Sequence, residues 1–292
     1  MAEKPQFFQP ASINEIKSLL PRLTQNSRIL SGGTDLIADR GALVGTDFYL
    51  SLCACDGLSE IRSDGKYVYI GATATHNEIA NNPIVKEKLN ALAMACECIG
   101  SRQIRNKGTI AGNIANASPA GDTLAPLFLF ESEIEILCPE RGGLLLPVDE
   151  VIIGPYKNSL SYNRIITSVR IPVPPAGTRS VYVKLGSRSR VTIAMIGLAI
   201  SGVFMPDGSA DNITAYVGAI TGQPVKIPKA DEILAGKKPG AAEKEAMAYA
   251  VFELIHKLTP LQFDRLYKEK AVRGVTYDGI EALYGAGADW GE

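Results

Sequence analysis

The chain has 292 residues, 46% hydrophobic and 21% charged, values that fit a soluble fold of one large or two ordinary domains. Lys and Arg number 30 against 31 Asp and Glu, so the net charge of -1 lacks the basic excess of a general nucleic-acid or anionic-membrane binder. Two His, His76 and His256, are too few for a His-built metal centre or a His-based triad, and no apolar run reaches the roughly 18–20 residues of a bilayer span.

Residues 12–23, SINEIKSLLPRL, predict a helix. Ser12 and Glu15 have capping-box spacing, Ile13, Ile16, Leu19, Leu20 and Leu23 share a face, and Pro21 ends or distorts it. A short strand over 27–30 runs into the glycine turn SGGTD (31–35), and FYLSL (48–52) is the next strand. KYVYIGA (66–72) alternates apolar and polar, as a strand does. Thr75 and Glu78 repeat the capping-box spacing, and Asn82-Pro83 opens a further helix over 83–98. Residues 100–122, GSRQIRNKGTIAGNIANASPAGD, are polar, small and aperiodic, and are expected to be a long functional loop. TLAPLFLF (123–130) is apolar enough to be buried. EIEILC, with its core at 134–138, and GGLLLPV (142–148) predict a hairpin, and RIITSVRIPVP (164–174) a strand ended by prolines. PPAGTR (174–179) reads as a linker. Beyond it VYVKLG, VTIAMIGLAISGVFM, a PDG turn at 206–208 and NITAYVGAIT predict an antiparallel meander. Helices follow over 241–258 and around LQFDRLYKEKAV, with a loose tail at 285–292.

The glycines are placed where chemistry would use them. Gly32 and Gly33, directly after a strand, permit positive φ and bare backbone N–H groups, the makings of a phosphate nest, with Thr34 as a hydroxyl donor. KGTIAGN (107–113) holds a second pair, Gly108 and Gly112, with Thr109 and Asn113 as polar partners. One double glycine alone is ordinarily a tight turn. Two Thr-bearing glycine loops in one domain suit a pyrophosphate gripped from two sides. Neither is followed by GK[ST] and neither is GxGxxG, so the P-loop and the ordinary Rossmann fingerprint are absent. Read as isolated residues, Lys184 is a solvated strand position and Asp122 an N-cap of the helix after it.

Taken together, SGGTDL (31–36), IGATATHNEI (70–79) and QIRNKGTIAGNIANASPAGD (103–122) resemble the FAD-binding subunit of the molybdenum hydroxylases. That family includes xanthine, nicotinate and carbon monoxide dehydrogenases and aldehyde oxidoreductase, and the resemblance covers nearly the whole chain. It implies FAD as the cofactor, with the pyrophosphate on Arg28, Ile29, Leu30, Ser31, Gly32, Gly33, Thr34 and Asp35. Thr109, Ile110, Ala111, Gly112 and Asn113 would hold the other side of the same phosphates. Asp122 would bond the nucleotide end, on the ribose or adenine side. Ile165 or Ile166 would offer a backbone N–H to the flavin ring, and Lys184 would stand by the isoalloxazine and stabilise its reduced anion. No catalytic residue and no metal site is assigned to this chain.

The fold implied is α+β. A PCMH-type FAD-binding domain of two α/β lobes, about 1–58 and 59–177, precedes a smaller antiparallel-sheet-plus-helices domain over 178–292. The activity implied is electron transfer inside a xanthine dehydrogenase-like hydroxylase of a purine or other N-heterocycle. Partner chains would supply the molybdopterin centre (large subunit) and the [2Fe-2S] clusters (small subunit), with NAD(P) or another acceptor downstream. A dimer of heterotrimers is expected, without nucleic acid or membrane span. The alternatives are a stand-alone FAD oxidoreductase of the related alcohol oxidase type and a non-catalytic assembly subunit.

Two positions depart from the NAD-linked eukaryotic pattern. Ile99 stands where those members stack an aromatic residue on the flavin, and Val191 where they carry an acidic residue. The five Cys, an odd number behind an N-terminus without a signal-peptide core, predict reduced thiols in a cytoplasmic chain. Cys53 with Cys55 and Cys96 with Cys98 form C-x-C pairs rather than the usual metal spacing. No Cys-bearing insertion separates Asn113 from Cys138, where the 4-hydroxybenzoyl-CoA reductase branch carries an extra cluster.

Overall fold

The computed structural model describes residues 4–140, 142–188 and 191–285. The chain opens with β1 (Gln6–Phe8), α1 (Ile13–Leu19), β2 (Arg28–Leu30) and β3 (Phe48–Ser51), and the three strands form a parallel sheet in the order β1-β3-β2. Ser12 caps α1 by accepting from the Glu15 N–H, and the helix tightens into a 3-10 turn over Leu20–Arg22 at Pro21. Ile16, Leu20, Leu23 and Leu50 bury one core here. No alternation in the sequence announces β1. It is held by pairing with β3 and by Phe8 stacked on Phe48 at 4.5 Å.

Next come β4 (Ile61–Ser63), β5 (Tyr67–Gly71), α2 (His76–Asn81), α3 (Pro83–Lys88), α4 (Asn90–Glu97), α5 (Arg102–Arg105), α6 (Ile110–Asn116) and α7 (Leu124–Leu129). They are followed by β6 (Glu133–Cys138), β7 (Gly142–Pro147), α8 (Val148–Val151), β8 (Ile152–Gly154), β9 (Lys157–Asn158) and β10 (Ile165–Pro172). Five of the strands make an antiparallel sheet, β4-β5-β10-β6-β7, with Val68, Ile70, Ile134 and Val169 fully buried in it. A bulge at Thr167 interrupts the β10–β6 register, while on the other edge of β10 the Thr167 carbonyl accepts from the Ala72 N–H at 3.0 Å.

Two expectations about this region change. The helix over 83–98 is two helices, because buried Leu89 leaves helical geometry at φ -131° and ψ 46°, and α4 then packs on both α2 and β11. The aperiodic stretch 100–122 is not a bare loop: α5 and α6 lie in it, capped by the Ser101 and Thr109 side chains. Helices of four and seven residues are too short to show a 3.6-residue period, so the capping residues were their only signature.

The remaining strands, β11 (Thr178–Gly186), β12 (Ala194–Phe204), β13 (Ala210–Gly218) and β14 (Val225–Lys226), form the expected meander, all antiparallel. Gly208, at φ 85°, serves the turn between β12 and β13. Helices α9 (Ala230–Leu234), α10 (Ala241–Leu258) and α11 (Arg265–Tyr284) cover one face of this sheet. The last runs well past the expected stretch, because Gly279 meets the sheet: a Cβ there would lie 2.7 Å from Leu198 Cδ2. From residue 286 the expected tail lies outside the described residues. The architecture is the mixed helix-and-sheet fold expected. Among the described residues no helix is long and apolar enough to cross a membrane.

Candidate functional site: two clasped glycine loops

The first loop leaves β2 at Leu30, and Gly33 takes φ 69°, a conformation that lets its carbonyl accept from the Ile37 N–H at 2.9 Å. The second loop ends at Thr109, which caps α6 by accepting from the Gly112 N–H at 3.2 Å. The two loops touch. Thr109 Oγ1 donates to Ser31 Oγ at 2.9 Å, and a Cβ built on Gly32 would lie 1.8 Å from the Lys107 carbonyl oxygen. Backbone therefore meets backbone at Gly32, and no other residue type fits that approach. The third motif supports the clasp from beneath. The His76 N–H donates to Gly108 O at 2.9 Å and the Ile110 N–H to Ala74 O at 3.1 Å.

Between the loops lies a cleft of ≈ 310 Å³. Its walls include every residue from Arg28 to Asp35, together with Thr109, Gly112 and Asn113. Thr123 Oγ1 donates to Asn113 Oδ1 at 2.5 Å, which leaves the Asn113 amide N–H groups without a protein partner among the described residues. Ile110 faces the core, fully buried, rather than the cleft. Ala111, Ile165 and Ile166 line a neighbouring cavity of ≈ 240 Å³ that shares Arg28, Ile29, Ser31 and Gly112 with the cleft.

Lys184 lines a separate cavity of ≈ 780 Å³, along with Cys98, Arg102, Arg105, Arg188 and Val191. Its ammonium donates to Asp122 Oδ2 at 2.7 Å and to the Cys98 carbonyl at 3.0 Å, with both side chains of the ion pair 7% exposed. Asp122 Oδ1 accepts from the Tyr182 hydroxyl at 2.8 Å. Burial raises the Asp122 carboxyl above its usual range against the opposing pull of Lys184, and burial with the Asp122 charge pushes the Tyr182 phenol well up.

These positions overturn one reading. Asp122 is not the N-cap of α7; Thr123 holds that place, and the carboxylate is committed to Tyr182 and Lys184. Lys184 is bonded to Asp122, and the cavity of the two isoleucines shares no lining residue with that of the lysine. Val191 does line the lysine cavity, whereas Ile99 does not.

Tyr182 was missed by sequence reasoning, although the two-residue repeat of a strand places it on the same face as Lys184. Room for its hydroxyl comes from Gly197 across the sheet, where a Cβ would lie 2.4 Å from the Tyr182 oxygen. Among the described residues, no three His, Cys, Asp or Glu side chains converge as a metal site.

His76 also lines the cleft. Burial, with the Arg105 guanidinium adding, holds its imidazole at about 4, below its ordinary 6.5. The unfolded chain thus takes up a proton that the folded chain refuses. Stability from this group is complete above 6.5 and is lost as pH falls toward 4, a drop of about 3 kcal/mol. Urea midpoints measured across that window check it: the acid limb is expected to be steeper in the wild type than in His76→Gln.

Such a cleft, between two clasped glycine loops and without a P-loop, is of the kind that suits a dinucleotide. Comparison with known proteins gives the family. Residues 3–174 match the family described as the FAD binding domain in molybdopterin dehydrogenase. The chain is 28% identical over 276 residues to the nicotinate dehydrogenase FAD-subunit of Eubacterium barkeri, covering 92% of this chain and 93% of that one. It is 30% identical over 247 residues to the nicotine 6-hydroxylase medium subunit of Paenarthrobacter nicotinovorans, covering 84% and 85% respectively. Among solved structures, a chain of the carbon monoxide dehydrogenase from Hydrogenophaga pseudoflava superposes with a TM-score of 0.85 at 26% identity, over 98% of this chain and 99% of that one. The protein belongs to the FAD-binding subunits of the molybdenum hydroxylases. Its residues fit that cofactor: a side chain at Gly32 would close the cradle, and Asn113 presents unpaired amide donors to the cleft.

Proposed function

We propose that this chain passes electrons from partner [2Fe-2S] clusters through its FAD to NAD(P) or another acceptor, within an assembly that hydroxylates a purine or other N-heterocycle at a partner's molybdopterin centre. The observation that carries the reading is the approach of Gly32 to the Lys107 carbonyl, which clasps the two glycine loops about one cleft. The nicotinate and nicotine activities in the relatives' names support the heterocycle. The superposed structure is described as lacking the Mo-pyranopterin moiety of that enzyme's molybdenum cofactor, and the family description names molybdopterin; both support a molybdopterin-bearing partner. A small iron–sulfur subunit, a dimer of heterotrimers and a cytoplasmic setting complete the proposal, and the free cysteines suit a reducing compartment.

Each residue then has a task. Ser31 to Asp35, with Thr109, Gly112 and Asn113, hold the diphosphate. Ile165 and Ile166 lie at the adenine end, and Lys184 at the ring end with Asp122 behind it, the reverse of the assignment expected for Asp122 and the isoleucines. FAD supplies the exchange between one-electron and two-electron transfer. The Lys184 ammonium holds positive charge where a flavin gathers negative charge on reduction, and Asp122 with the Cys98 carbonyl fixes its position. Arg102, Arg105 and Arg188 in the same cavity favour an acceptor that carries phosphates. The division at 177/178, with lobes at 58/59, is proposed as expected. It is supported by β10 ending at Pro172 and β11 opening another sheet at Thr178.

Purification of the chain from its native source, with flavin, iron and molybdenum assayed, tests the proposal. The expected result is one FAD per chain and two co-purifying subunits that carry the metals. Reduction of the flavin by an alcohol in the isolated chain would establish the stand-alone oxidase instead, and colourless protein would establish the assembly subunit.

A further inference from the structure

One polar side chain facing the cleft has no task in this scheme. His76, the first residue of α2, is 3% exposed and lines the wall beside Gly108. A Cβ on Gly108 would lie 3.0 Å from His76 Cδ2 and 3.4 Å from Nε2, so this edge of the ring lies over a residue without a side chain. Nδ1 is 3.8 Å from the Cys96 sulfur, and Nε2 has no protein partner among the described residues.

The cysteine decides where the imidazole proton sits. Cys96 is fully buried on α4, and burial keeps its thiol protonated. An S–H that donates to Nδ1, 3.8 Å away, would leave the neutral ring's own proton on Nε2. The same logic fixes the tautomer of a metal-bound histidine through the partner of its other nitrogen.

We propose that His76 is a ligand of the dinucleotide's diphosphate, its Nε2–H donating to a phosphate oxygen between the glycine loops, with Cys96 the positioning residue that sets the tautomer. This rests on the FAD placement given above. A neutral donor suits the position, since it bonds an anion without the cost of burying an imidazolium.

FAD titrated into the full-length apo-chain, followed by flavin fluorescence, tests it. His76→Phe fills the buried volume without a donor and is expected to weaken binding about tenfold or more, the loss of one hydrogen bond to a charged partner. His76→Gln, whose amide nitrogen reaches a similar point, is expected to stay within about threefold of the wild type, and Cys96→Ala to fall between the two. Nitrogen NMR of the wild-type chain is expected to show the proton on Nε2, a readout that needs no variant to fold. Wild-type affinity in folded His76→Phe, or a proton on Nδ1, overturns the proposal. A wild-type chain that takes up no FAD overturns the placement as well, which separates the two failures.

Discussion

Gly32→Val is expected to yield a chain that folds but holds no FAD. The added Cβ falls 1.8 Å from the Lys107 oxygen, whereas carbon and oxygen normally stand about 3.5 Å apart, so the loops must separate by roughly 1.5 Å. A hydrogen bond to a charged group contributes about 1.5–3 kcal/mol, and two such bonds lost across the gap weaken binding by about a hundredfold or more. The fold bears a cost too, because the clash is with backbone; overpacking costs about 1–3 kcal/mol, occasionally more. Flavin-to-protein absorbance ratios read the first effect and circular dichroism the second. Gly143→Ala is the control, since a Cβ there meets nothing within 4 Å. Stoichiometric FAD in Gly32→Val at wild-type affinity would show that the clasp is not the binding device.

Lys184→Met has the second large effect, and it has two readouts. The substitution leaves the Asp122 carboxylate buried with only the Tyr182 hydroxyl as partner. Breaking a buried ion pair from one side costs about 3–5 kcal/mol, while removing both members together is close to neutral. Asp122→Asn added to Lys184→Met is therefore expected to recover most of the loss in urea denaturation; strictly additive losses would be inconsistent with a coupled pair. The pH dependence has a definite sign. Asp122 already titrates above its ordinary value, and Lys184 is the main group opposing that rise. Without the lysine the folded chain binds the Asp122 proton still more tightly than the unfolded chain. The penalty thus grows as pH rises through the native value and shrinks on acidification. The same variant is expected to lower the reduction potential of the bound flavin, because the ammonium no longer faces the charge that reduction adds. An unchanged potential would remove Lys184 from the ring end.

The two readings of Asp122 show where linear sequence runs out. Its place before an apolar helix favoured a cap, and motif resemblance favoured a nucleotide contact. Neither view holds information about residues 60 and 62 positions away, Tyr182 and Lys184, which occupy both of its oxygens. Which cavity Ile165 and Ile166 line was beyond linear sequence for the same reason. A strand residue shows its alternation in the sequence, but not which cavity the bulge at Thr167 turns it toward.

Local signals, by contrast, were reliable wherever the cause was local. The side-chain cap at Ser12, the capping box at Thr75, the Pro21 distortion, the PDG turn and the meander after residue 178 follow from backbone chemistry within a few residues, and the structure shows each of them. The two glycine loops were likewise legible as bare stretches of backbone, because that is a property of composition. Tertiary structure alone decided that they face each other across one cleft, that Lys107 abuts Gly32, and that Tyr182, Asp122 and Lys184 form one buried chain of hydrogen bonds. Sequence fixes which conformations each segment permits. Contacts between distant segments depend on how the sheets and helices pack, and that is settled only when the whole core closes.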